Sequence, residues 1–146
     1  MVIKGVKCII CSNILLKDLE KFILDHVKFY NDTVKELGEK DTIYLPVFYV
    51  GVECEECNSE NSFIIAEGEK KYHVIQCTYD QSKEWFNEIS KMGTTLLKTG
   101  QIKTLVDLEK YLDNWFLHLE ARYVREGLYI SLYQVDIPGE EDNEVV

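Results

Sequence analysis

Five cysteines stand in this 146-residue chain, and four of them form two pairs with two residues between partners, Cys8-Ile9-Ile10-Cys11 and Cys54-Glu55-Glu56-Cys57. Thiolate sulfur is a soft donor, and a tight four-residue turn brings both sulfurs of such a pair to one ion. Two such turns complete a tetrahedral shell. The spacing predicts that Cys8, Cys11, Cys54 and Cys57 bind a single structural zinc. A shell closed by four thiolates has no position for activated water, so the centre is expected to fasten the fold rather than to react. The two halves are unequal. The second pair leads into Asn58-Ser59-Glu60-Asn61, a turn composition. The first encloses two isoleucines, so Cys8 and Cys11 also fit a buried strand as small core side chains. The 42 residues between the pairs exceed the roughly 15–20 of a compact zinc site.

Over those few residues the two pairs resemble the half-sites of zinc-ribbon or treble-clef domains. A second ligand set, Cys54, Cys57, His73 and Cys77, has near-finger spacing, but it needs His73 and Cys77 on one helical face. The segment around them is β-rich, and strand positions four apart lie roughly 13 Å from each other. A redox dithiol is a third reading, since Cys11 precedes an expected helix whose dipole lowers a thiol pKa. Such sites use one pair within a βαβ unit, and here there are two pairs and no such unit. Cys77 reads as a buried, inert thiol. His26, between Phe22 and Tyr30, and His118 border apolar helical stripes and read as hydrogen-bonded boundary residues. Trp85-Phe86 and Trp115-Phe116 read as core anchors. No phosphate loop, dinucleotide fingerprint, nucleophile elbow or HExxH motif occurs.

The elements that must position the cysteines follow from periodicity. Residues 2–10 are β-branched and read as a strand. Ser12 and Asn13 can cap a helix whose stripe runs through Leu15, Leu16, Leu19, Phe22, Ile23, Val27, Tyr30, Val34 and Leu37, with Gly38 as its stop. Residues 42–52 read as a second strand, which Pro46 places at an edge or breaks near its start. Residues 62–66 and 71–79 read as a hairpin. Asp80 can cap a helix carrying Trp85, Phe86, Ile89 and Met92, interrupted at Gly93, with irregular chain on to Gly100. Thr104 and Asp107 resemble a capping box for a helix with Leu105, Leu108, Leu112, Trp115, Leu119 and Tyr123, ended by Gly127. Residues 128–135 are a last strand. The order β-α-β-β-β-α-α-β predicts one α+β domain over residues 1–137 with a small, mostly antiparallel sheet. Residues 138–146 are expected to be an acidic flexible tail.

Composition narrows the function classes. No stretch approaches the roughly 20 apolar residues of a membrane span, and residues 1–11 lack a secretory pattern. A cytoplasmic location is expected, where thiols stay reduced and five cysteines read as metal ligands or reactive thiols rather than as a disulfide frame. The net charge is −10, and residues 127–146 hold five acidic side chains and no basic one. Such a surface favours a partner protein with a basic surface over nucleic acid. A nucleic-acid-associated, zinc-ribbon-like factor is the second reading, and it needs a basic face from Lys4, Lys7, Lys70 and Lys71 beside the metal. An enzyme acting through thiols or an unrecognised pocket is the third. Fourteen lysines against two arginines, with two alanines, suggest an AT-rich genome. On that composition the leading expectation is a small protein-binding regulator, such as an inhibitor or a phage or mobile-element accessory protein.

Overall fold

Phe63-Ile64-Ile65-Ala66 is apolar at every position, which a strand tolerates only when both its faces are covered. The computed structural model, which describes residues 4–37 and 45–138, has that strand at its centre. In chain order, β1 (Lys4–Lys7) and β2 (Ile14–Asp18) form a hairpin and α1 spans Leu19–Leu37. β3 (Val47–Glu53), β4 (Glu60–Glu67) and β5 (Lys71–Thr78) form a meander. α2 (Tyr79–Lys98) and α3 (Leu105–Glu126) follow, and β6 (Ser131–Asp136) returns to the sheet. The main sheet is antiparallel throughout, in the order β3-β4-β5-β6, as the α+β reading expects.

Alternate residues of the two central strands serve two cores. Ile64, Ala66, Ile75 and Cys77 meet Ile89 of α2 and Leu112, Phe116 and Leu119 of α3. Phe63, Ile65, Tyr72 and Val74 meet Leu19, Ile23 and Val27 of α1 and Val6 of the hairpin. At about 1.5–3 kcal/mol for each fully buried Ile, Leu or Phe, these layers stabilise the sheet independently of its cysteine end. Among the described residues, no helix is long and apolar enough to cross a membrane.

The local structure differs from the sequence reading in several places. Ile14–Asp18 is a strand rather than the first turns of the helix, because the chain reverses after Cys11 and sets Leu16 opposite Val6. The helix is capped instead by Asp18, whose Oδ1 accepts the Lys21 N–H at 3.1 Å. α2 runs unbroken through Gly93, which is buried. A Cβ there would lie 2.9 Å from Leu45 Cδ1, so the glycine admits a neighbour rather than ending the helix. The cap of α2 is Thr78 with Gln81, a reciprocal box, not Asp80. In α3 the buried stripe is Leu108, Leu112, Phe116 and Leu119, while Leu105 is 46% exposed. Thr104 and Gly127 do cap that helix, Gly127 at φ +65°. β3 is an edge strand that begins just past Pro46. The expected helix stop at Gly38, the start of the strand over 42–52 and nearly all of the tail over 138–146 lie outside the described residues.

Candidate metal centre

Each cysteine pair closes the turn of a hairpin, Cys8/Cys11 between β1 and β2 and Cys54/Cys57 between β3 and β4. The two turns repeat one hydrogen-bond pattern. The Ser12 N–H donates to Cys8 O at 3.0 Å, and the Cys8 N–H donates to Asn13 O at 2.7 Å. In the second turn, Asn58 donates to Cys54 O and Cys54 to Ser59 O, both at 2.9 Å. Ser12 at φ +68° and Asn58 at φ +61° are the described non-glycine residues in the left-handed region. That conformation is uncommon for a residue with a Cβ, and finding it at matched positions marks both turns as one device. The apolar Ile9-Ile10 pair therefore sits in a metal-binding type of turn, not inside a core strand.

The turns face each other so that sulfurs interleave. Cys8 Sγ lies 3.7 Å from Cys57 Sγ and Cys11 Sγ lies 3.6 Å from Cys54 Sγ. All four sulfurs fall within 4.8 Å of one another. Four thiolates about 2.3 Å from a central ion form a tetrahedron with edges of about 3.8 Å, so the set fits one tetrahedral metal ion. Cys8 and Cys54 are buried, while Cys11 and Cys57 are half-buried.

Polar side chains behind the sulfurs hold the first turn against the sheet. Asn61 of β4 is fully buried. Its Nδ2 donates to Cys8 Sγ at 3.3 Å, and its Oδ1 accepts the Ile9 N–H at 2.8 Å and Gln76 Nε2 at 3.0 Å. Gln76 Nε2 also donates to Lys7 O at 2.7 Å, and Tyr133 OH donates to Gln76 Oε1 at 2.9 Å. The Ile10 N–H and Asn13 Nδ2 donate to Cys8 Sγ and Cys11 Sγ, each at 3.4 Å. Such second-layer donors orient ligands and stabilise negative charge on sulfur.

Without a cation the thiols of Cys8, Cys11 and Cys57 do not ionise alike. Burial works against the Cys8 thiolate, but the Asn61, backbone and Cys57 hydrogen bonds outweigh it and lower the pKa to about 6. The Ser59 hydroxyl and N–H hold Cys57 below the ordinary thiol value. At Cys11 the backbone bond at Asn13 favours the thiolate, yet burial and the neighbouring sulfurs push it up to about 11. A divalent cation held by these cysteines would offset that repulsion and favour their thiolate forms.

The other candidates are placed elsewhere. His73 lies on β5 with its Nε2 2.7 Å from Asp113 Oδ1 and its ring stacked on Phe116, centroids 4.8 Å apart. It is not a ligand of the cysteine set. Cys77 faces the α2/α3 core, fully buried. His26 Nδ1 contacts Phe22 O at 2.9 Å, the boundary role expected of it, and His118 is exposed. Trp85 and Trp115 meet edge-on, centroids 6.0 Å apart, packed against the core. Lys7 adjoins Cys8, whereas Lys70 and Lys71 lie at the opposite end of the β4–β5 hairpin, about 20 Å away at 3.3 Å per residue. The sequence pattern did not single out Asn61, Gln76 or Asp113. Gln76 was visible as an amide in an apolar strand, whereas Asn61 read as part of the turn after Cys57 and Asp113 carried no signal on the polar side of its helix. No protein family, curated protein or solved structure matches the chain.

Proposed function

We propose that the chain is a small cytoplasmic protein-binding regulator in which Cys8, Cys11, Cys54 and Cys57 hold one structural zinc. The observation that carries this reading is the closed sulfur set. Four thiols at tetrahedral separations leave no coordination position for substrate or activated water. Zinc then ties the β1–β2 hairpin to the β3–β4 turn, joining one covering layer to the sheet. The net charge of −10 favours a partner with a basic surface. The wide separation of Lys7 from Lys70 and Lys71 favours a protein partner over nucleic acid, which needs clustered cations to displace counterions.

Two experiments test the reading. Cobalt(II) substitution reports the metal shell through its visible spectrum. A tetrahedral thiolate spectrum unchanged by added azide supports a closed structural site, and a shift on azide addition overturns it. Affinity capture from the native host with the metal-loaded protein, followed by reconstitution with the captured protein, tests the partner. A defined complex with one protein supports the reading. Recovery of nucleic acid alone, or of nothing, refutes it.

A further inference from the structure

β6 is an edge strand, and among the described residues nothing pairs with its outer side. Unpaired strand edges are templates for another chain, and proteins usually blunt them with a bulge, a proline or a lysine. Ser131–Asp136 has none of these, and its pairing with β5 runs without a register shift. Clefts of about 540 Å³ and 520 Å³ border its C-terminal and N-terminal halves, with Tyr133 lining both. Phe116, Glu120 and Tyr123 of α3 wall the groove on one side, and Glu20 of α1 and Lys7 of β1 on the other.

The charge in the groove is graded. At the Asp136 end, the carboxylates of Glu20, Glu120 and Asp136 face a single ammonium, Lys71, which already sits 3.7 Å from Asp136 Oδ1. The other end is lined by Tyr123, Leu128, Tyr129 and Ile130. We infer that this groove is the protein-docking surface, and that it takes an extended segment of a basic partner as a fifth, antiparallel strand. Backbone hydrogen bonds to β6 supply affinity and the walls select side chains. An antiparallel strand brings its N-terminal residues to Asp136, so that segment carries its basic residues first and apolar residues after. A second copy of this chain is disfavoured by its own charge of −10.

This inference rests on the protein-binding reading, and its test separates the two. The probe is a fluorescein-labelled peptide, Lys-Lys-Val-Thr-Val-Thr-Val, titrated into the metal-loaded full chain and followed by anisotropy. Saturable binding is expected, at least ten-fold weaker for the peptide N-methylated at alternate amides, for the reversed sequence and for a Glu-Glu-headed version. The E20K/E120K double variant changes two surface positions, and circular dichroism and metal content verify its fold. It should bind the basic peptide at least ten-fold more weakly and the Glu-Glu-headed peptide more tightly than the parent does. Equal affinity for the N-methylated peptide overturns strand addition, as does concentration-dependent dimerisation that protects the β6 amides from exchange. A host partner that binds the parent and E20K/E120K equally refutes the groove while leaving the protein-binding reading intact.

Discussion

Truncating Asn61 should damage both the fold and the metal centre, although the residue touches no metal. The side chain is fully buried and makes three hydrogen bonds: to Cys8 Sγ at 3.3 Å, from Ile9 N–H at 2.8 Å and from Gln76 Nε2 at 3.0 Å. Asn61→Ala removes all three. Gln76 keeps its bond to Lys7 O, but the Ile9 N–H loses its acceptor. A bond to a charged sulfur is worth about 1.5–3 kcal/mol and a neutral one about 0.5–1.5 kcal/mol. The loaded protein should therefore lose about 3–5 kcal/mol, and metal affinity should fall roughly 10–100-fold. Urea unfolding followed by tryptophan fluorescence measures the first quantity, and competition with a chromogenic chelator the second. Repeating the melt on metal-stripped protein removes the charge assistance at sulfur, so the loss should shrink there. A change below about 1 kcal/mol with unaltered metal affinity would refute the argument that Asn61 positions and charges Cys8.

Three further outcomes follow from other sites. A Cβ on Gly68 would lie 2.0 Å from Asp113 Oδ1 and 2.9 Å from His73 Nε2, so Gly68→Ala forces Asp113 off His73. A loss of about 1–3 kcal/mol should appear in thermal melts; an unchanged melting temperature means the pair does not clamp α3 to β5. Glu109 has its pKa raised to about 8 by burial and by Glu67, with Glu69 and Asp113 adding to it. The fold thus favours its neutral form, and that contribution is present below pH about 4.5 and lost as pH rises through about 8. Glu109→Gln should gain stability over the parent progressively from pH 5 to pH 9, and a gain that shrinks over this range contradicts the assignment. Cys77 is fully buried, with its pKa pushed up to about 12. Alkylation after chelation should modify four thiols in native protein and the fifth only in denaturant.

How much of this was legible in the chain depended on whether the cause was local. The cysteine spacing named the four residues that cluster within 4.8 Å, because the geometry of a four-residue turn is written in adjacent residues. Thr104 and Gly127 were readable as caps for the same reason. Leu15 and Leu16 misled, because three- and four-residue spacing continued from the helix back into a strand. Nothing local signals that Ser12 adopts a left-handed conformation and returns the chain along β1. Gly93 misled in the other direction: helix propensity disfavours glycine, but Leu45, distant in sequence, needs the space. The Asn61–Gln76–Tyr133 relay joins three strands, and only the sheet register brings it to the sulfur of Cys8.

Elemental analysis of the natively purified protein, paired with thiol counting, decides whether the four cysteines hold one structural zinc. One zinc per chain is expected, with Cys8, Cys11, Cys54 and Cys57 protected from alkylation until a chelator removes the metal. Four thiols reacting at once in protein that carries no metal would contradict the account, and one iron per chain would overturn the assignment to zinc.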